Sequence, residues 1–240
     1  MKKALGIIPA RYASSRFMGK PLAMIKDKPM IIWVYERAKK AKLLRDVIVA
    51  TDSYEVQRKV EKYGGNALIT FSSHSTGTER IAEVSEKYDD ELIVNIQGDE
   101  PLISPLIIDK MVEELQDITI DIVTVKEKIL DDSYLSPNMV KVITDLKGFA
   151  IYFSRSPIPY CRQDNRIYFK HIGVYGFKKQ ILLNLVKLSP SPLERIENLE
   201  QLRAIEYGYK IKVIESPYHT IGVDTPEDIE KIEMELKNAI

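Results

Sequence analysis

Through the first half of the chain, short apolar runs alternate with amphipathic stretches. Residues 5–8, 47–50, 67–71, 92–97 and 120–125 have the length and β-branched content of buried strands. Pro29 opens a helical pattern with Met30, Trp33, Val34, Ala38 and Ala41 on one face. Asp52-Ser53 caps a helix that begins at Tyr54 and stops before Gly64-Gly65. Thr76-Gly77-Thr78-Glu79 has capping-box spacing for a helix reaching about Tyr88, and Ser104-Pro105 starts another that ends near Asp117. Strands alternating with helices in this way predict an α/β fold with a mostly parallel, doubly wound sheet.

The pattern changes near Lys126, and no clear periodicity runs from there to Pro137. Residues 140–144 and 149–154, separated by Asp145-Leu146-Lys147-Gly148, read as a hairpin, and 168–177 as a further long strand. About 127–177 is therefore a β-rich insertion, of the kind that supplies a substrate lid or an oligomer surface. Helices are expected at 178–188 and 193–207, then a strand at Ile211–Glu215. The last helix opens with Thr225 as N-cap and Pro226 at its first position. With no repeat, low-complexity tract or linker, 1–240 reads as one domain.

Composition narrows the function classes. At 240 residues and 45% hydrophobic, the chain can bury a full core. Lysine plus arginine (35) equals aspartate plus glutamate (35), which argues against a nucleic-acid or membrane-surface partner. The single cysteine, Cys161, has no intramolecular disulfide partner, and no Cys/His cluster offers a zinc site. The apolar run before Pro9 is too short for a signal-peptide core, and no stretch approaches the ~20 apolar residues of a membrane span. A soluble, cytoplasmic protein is expected.

Candidate chemistry gathers at strand ends. The first strand empties into a loop of small residues carrying Arg11, Arg16 and Lys20. Small residues such as Ala10, Ser14 and Ser15 let backbone N–H groups approach a phosphate, and the cations neutralise it. The loop is neither GxGxxG nor GxxxxGK[ST], which counts against a dinucleotide-dependent oxidoreductase and leaves a solvated basic loop as the other reading. In Asn95-Ile96-Gln97-Gly98-Asp99-Glu100-Pro101, Gly98 permits a sharp turn that projects Asp99 beside that loop. A carboxylate there suits Mg²⁺, although a turn aspartate serving local N–H groups is also common. Asp224, before the last helix, offers a second carboxylate or a partner for the helix start. Taken together, the two make a divalent site between a nucleotide and an acceptor. Arg155, before Pro157 and Pro159, suits a bidentate grip on a carboxylate, with His171 and Tyr175 adding hydroxyl contacts. An exposed Arg155 and a structural His171 are the alternatives. The Glu197–Arg203 stretch and the Thr76–Arg80 turn can be explained as a solvated helix face and a cap.

Several of these segments, in order, resemble the cytidylyltransferases that activate 3-deoxy-D-manno-octulosonate (Kdo). They are Ile8-Pro9-Ala10-Arg11-Tyr12-Ala13-Ser14-Ser15-Arg16, Gly19-Lys20-Pro21-Leu22, Gly77-Thr78-Glu79-Arg80 and the 95–101 turn. The 154–159 segment, His171-Ile172-Gly173-Val174-Tyr175, Leu199-Glu200-Gln201-Leu202-Arg203 and Gly222-Val223-Asp224-Thr225-Pro226 complete the set. Phe17-Met18 stands where the family usually has Leu-Pro, and Tyr160 where it often has Trp. The resemblance implies a Rossmann-like nucleotidyltransferase fold, a homodimer, and conversion of CTP and Kdo to CMP-Kdo and pyrophosphate for the lipopolysaccharide inner core. It implies one Mg²⁺ held by Asp99 and Asp224 and a second held mainly by the CTP phosphates. Arg11 and Lys20 would grip the triphosphate, and Gly77 and Arg80 would lie near cytosine or ribose. Arg155 would bind the sugar acid, aided by Gln97, His171, Tyr175, Glu200 and Gln201. A sialic acid or an amino-substituted Kdo remains an alternative acceptor, and a catalytically silent nucleotide-binding protein an alternative of another class.

Overall fold

The computed structural model describes residues 1–13, 17–162, 167–223 and 225–238. Ser14, Ser15 and Asp224, all candidate ligand residues, lie outside the described residues.

Strand β1 (Ala4–Ala10) leads through a 3-10 turn (Lys20–Leu22) and the short strands β2 (Met24–Ile25) and β3 (Lys28–Pro29) into α1 (Met30–Ala38). Then β4 (Leu44–Thr51), α2 (Tyr54–Lys62), β5 (Asn66–Ile69), α3 (Gly77–Ser85), β6 (Leu92–Asn95) and α4 (Pro105–Glu114) alternate as expected. The cap signals operate: Ser53 accepts from the Val56 N–H, and Thr76 and Glu79 form a reciprocal capping box. Next come β7 (Ile122–Ile129), the hairpin β8 (Lys141–Thr144) and β9 (Ala150–Ser154), and the long β10 (Tyr168–Lys178). The chain closes with α5 (Lys179–Leu185), α6 (Pro192–Glu197), α7 (Gln201–Glu206), β11 (Ile211–Glu215) and α8 (Glu227–Asn238).

The main path of the sheet runs β11-β7-β10-β6-β1-β4-β5. Neighbours are parallel except at β10, which runs antiparallel to both β6 and β7. Along this path β10 is the one reversed strand. Successive strand residues enter opposite cores: Ile8, Val49 and Val94 meet α1, α2 and α4, while Ile7, Ile48 and Ile93 meet α3, α5 and α7. Covering both faces is why these strands read as continuous apolar runs. A third, small cluster joins Ile25 and Met30 to Val223, Ile232 and Leu236 of the C-terminal segment.

Three expectations are revised. Strand β10 and the end of β7 belong to the main sheet, so of the 127–177 insertion only β8 and β9 lie off its main path, extending the sheet from the side of β10. Strand β6 stops at Asn95, which leaves Gln97 in the turn. The single helix expected over 193–207 is two. Asn198 takes a left-handed conformation (φ 52°), and Glu197 turns inward to accept from Ser154 Oγ (2.6 Å) and the Arg155 N–H (2.9 Å). Asparagine tolerates that conformation at a helix end better than most residues.

The turn after β6 packs directly on the end of β1. A Cβ on Gly98 would lie 2.9 Å from the Pro9 carbonyl oxygen, a backbone atom that cannot move aside alone. Gly98→Ala is therefore expected to cost about 1–3 kcal/mol in urea denaturation, as overpacking does. An unchanged midpoint would mean that this contact does not constrain the turn.

Candidate active site

Two joined clefts lie at the edge where the parallel strands end. The smaller, about 180 Å³, is walled by the end of β1 (Pro9, Ala10), Arg11, Lys20, Gly77 and Asp99. Its loop is closed by backbone geometry: the Gly19 N–H donates to the Tyr12 carbonyl (3.0 Å), and Gly19 adopts φ 70°, which a side chain would strain. The 3-10 turn that follows aims Lys20 inward. Lys20 Nζ meets Asp99 Oδ2 at 2.6 Å, with the lysine side chain 14% exposed and the aspartate 34%. Arg11 is exposed and donates from Nη1 to the Ser75 carbonyl (3.3 Å). The N-terminus of α3 faces the cleft at Gly77, which packs against Pro9. Cations, a helix N-terminus and close backbone together suit a polyphosphate.

The larger cleft, about 480 Å³, shares Gly77, Gln97 and Asp99 with the first. That volume suits a small polar molecule. From β10 come His171, Gly173 and Tyr175, from β6 Asn95, and from the α6–α7 junction Glu200 and Gln201. Arg155 closes one side. Its guanidinium donates to the carbonyls of Glu197 (2.8 Å), Pro137 (3.0 Å) and Asn198 (3.4 Å), which hold it in place. Beneath it, the fully buried Lys141 donates to the carbonyls of Ser136 (2.9 Å), Met139 (2.6 Å) and Arg155. Burial lowers the Lys141 pKa.

His171 is a neutral group here. Burial pushes its pKa down to about 3. The Thr124 hydroxyl donates its single proton to the Val174 carbonyl (2.8 Å), so the His171 Nε2–H is the donor in their 2.9 Å contact. Nδ1 is then an acceptor, which suits a hydroxyl rather than a carboxylate. Burial, with Glu200 nearby, holds the Tyr175 pKa well above its usual value, so its hydroxyl stays protonated. Glu200 is also raised by burial, while the Thr78 (2.7 Å) and Thr76 (3.3 Å) hydroxyls that donate to it oppose the shift.

Of the candidate residues, Ala10, Arg11, Lys20, Gly77, Gln97, Asp99, Arg155, His171, Tyr175, Glu200 and Gln201 line one or both clefts. Arg80 does not. It is fully buried, donating to Thr70 Oγ1 and to Asp52 Oδ2 (2.9 Å), so its expected place beside a base or ribose is corrected. Asp224 lies outside the described residues, and the Val223 N–H before it donates to the Asp99 carbonyl (2.9 Å), tying the chain to that turn. Among the described residues no cluster of three or more His, Cys, Asp or Glu side chains could hold a metal. Asp99 at the junction of the clefts nevertheless fits Mg²⁺, which takes one or two carboxylates and fills its shell from phosphates and water. Residues not assigned from the sequence are Asn95, Thr78 and Glu100, all in the wall of the larger cleft. Burial and the Asp99 charge push the Glu100 pKa up to about 8. Thr124, a polar residue in an apolar strand, was the one visible hint of a partner for His171.

A family profile described as "Cytidylyltransferase" matches residues 5–212. A 3-deoxy-manno-octulosonate cytidylyltransferase of Geotalea daltonii is 47% identical, over 98% of this chain and 99% of its own. One from Fusobacterium nucleatum is 50% identical, over 96% of this chain and 95% of its own. The solved structure of a CMP:2-keto-3-deoxy-manno-octonic acid synthetase complexed with CTP superposes with a TM-score of 0.95 at 39% identity, covering all of both chains.

The neutral imidazole has a measurable consequence. With a folded pKa near 3 against an ordinary 6.5, His171 contributes fully to stability above about pH 6.5. That contribution declines as pH falls toward 3, by up to about 1.4 kcal/mol per pH unit. Urea denaturation between pH 7 and 5 should show His171→Gln losing less stability on acidification than the parent. Parallel curves would mean that the imidazole is not held neutral.

Proposed function

The chain belongs to the cytidylyltransferase family, and from that membership we propose that it transfers CMP from CTP to the anomeric hydroxyl of Kdo, releasing pyrophosphate. It is a nucleotidyltransferase. The observation that carries the assignment of roles is the junction of the two clefts at Asp99, Gln97 and Gly77, where an α-phosphate and an acceptor hydroxyl can meet.

Arg11 and Lys20 neutralise the triphosphate and stabilise the charge that builds on departing pyrophosphate. The N–H groups at the start of α3 add donors, and those of Ala13, Ser14 and Ser15 would extend the cradle. In the larger cleft, Arg155 has N–H groups beyond its three carbonyl contacts to grip the acceptor's carboxylate. Gln97 and the neutral His171, with Tyr175, Glu200 and Gln201, read its hydroxyls. Held this way, the anomeric oxygen attacks the α-phosphorus in line; the new P–O bond forms as the bond to pyrophosphate breaks, and the hydroxyl proton passes to solvent. Asp99 and Asp224 would hold one Mg²⁺, the CTP phosphates a second, and this charge would neutralise the α-phosphate and acidify the attacking hydroxyl. Positioning and electrostatics suffice for such a transfer, and no side-chain base is required.

We place the enzyme in the cytoplasm, consistent with its single cysteine and with the absence, among the described residues, of a helix long and apolar enough to cross a membrane. A homodimer is proposed through the side of the β8–β9 hairpin, where Leu146 and Ile151 are exposed.

Pyrophosphate release should require CTP and Kdo together and stop with EDTA, while UTP, ATP or sialic acid in the corresponding place should support little. Release with another sugar acid but not Kdo would replace the acceptor. Asp99→Asn should cut turnover by orders of magnitude in a folded protein; near-normal turnover at saturating Mg²⁺ would remove Asp99 from the metal site. Arg155→Ala should raise the KM for Kdo far more than that for CTP, and equal effects would reject its role.

A further inference from the structure

Arg80 is a fully buried cation outside both clefts, and its guanidinium bridges two strand ends. Nη2 donates to Asp52, which follows β4, and Nη1 to Thr70, which follows β5. The Thr70 hydroxyl passes its own proton to the Thr51 carbonyl (3.1 Å). The other oxygen of Asp52 accepts from the Tyr12 backbone N–H (3.3 Å), in the loop after β1. Tyr12 in turn closes that loop: its carbonyl accepts from the Gly19 N–H, and its ring packs 3.7 Å from where a Gly19 Cβ would sit. Lys20 is the next residue. An unbroken path therefore runs Arg80, Asp52, Tyr12, Gly19, Lys20.

A buried ion pair is a weak stabiliser compared with apolar side chains of the same volume. This one also leaves Arg80 Nε buried without a partner among the described residues. Its geometry accounts for it better than its energy does. A rigid, planar guanidinium holds one carboxylate oxygen of Asp52 and the Thr70 hydroxyl together, and the other carboxylate oxygen fixes one peptide of a loop built from small residues.

We infer that Arg80 and Asp52 are positioning residues that hold Tyr12 and, through it, Gly19 and Lys20 in place for a polyphosphate, without touching the nucleotide. The inference rests on the loop being the triphosphate site. Loss of the strut lets the loop relax, and binding energy is then spent on ordering it.

Calorimetry with inorganic tripolyphosphate, which carries no base or ribose, separates this role from direct nucleoside contact. The parent should bind tripolyphosphate and Lys20→Ala should not; equal binding by both would overturn the loop reading itself. Given that control, Asp52→Ala should weaken tripolyphosphate on the order of tenfold, as loss of a charge-assisted contact does. It should raise the KM for CTP similarly and change that for Kdo less than twofold. The double variant Asp52→Asn/Arg80→Gln replaces the ion pair with an amide pair and keeps an acceptor for the Tyr12 N–H. It should regain most of the affinity, and it serves as the folded comparison if Asp52→Ala does not fold. Parent-like tripolyphosphate binding by Asp52→Ala, equal rises in both KM values, or a double variant with no recovery would each overturn the proposal. So would an Arg80→Gln variant that loses CTP affinity while holding tripolyphosphate as the parent does, since that would mean Arg80 meets the nucleoside.

Discussion

Both faces of the central sheet are covered by helices, and this constraint decides where chemistry can happen. Ile7, Ile8, Ile48, Val49, Ile93 and Val94 leave no polar surface along the middle of the parallel strands β1, β4 and β6. Only the edge where the parallel strands stop can present backbone N–H groups and charged side chains together. Arg11 follows β1, Asp52 follows β4, Thr70 follows β5, and Gln97 and Asp99 follow β6. Residues scattered over nearly ninety positions meet because their strands end at one edge.

Much of this was legible because the signals are local. Ser53 and Thr76 announce their helices, Gly98 announces a turn, and the cationic loop after residue 10 stands out against an apolar run. What escaped depended on partners distant in sequence. Arg80 sits three residues inside a helix like any surface arginine, and only Asp52 and Thr70 reveal that it points inward. The break at Asn198 is driven by Ser154 and Arg155, some forty residues away, which draw Glu197 out of a continuous helix. The place of β10 was equally hidden, since an isolated strand does not disclose that its neighbours run against it.

The Lys20–Asp99 contact gives the junction of the clefts its electrostatic character. An ammonium and a carboxylate 2.6 Å apart neutralise each other. In the proposed reaction each would acquire a new counter-charge, phosphate for the lysine and a divalent cation for the aspartate. The site exchanges one set of neutral pairings for another, so neither group has to stand bare in a partly desolvated cleft. Lys141 solves a related problem nearby, its charge dispersed over three carbonyls while the chain around Arg155 is drawn together.

The reversed strand β10 meets the larger cleft along its length rather than at its tip. His171, Gly173 and Tyr175 face the cavity, while Ile172 and Val174 face the opposite core. Sliding this strand by a single residue would exchange an imidazole and a phenol for an isoleucine and a valine. The same amino acids would then line a greasy slot instead of a hydroxyl receptor. The cleft's taste for a sugar is thus a property of strand alignment as much as of composition.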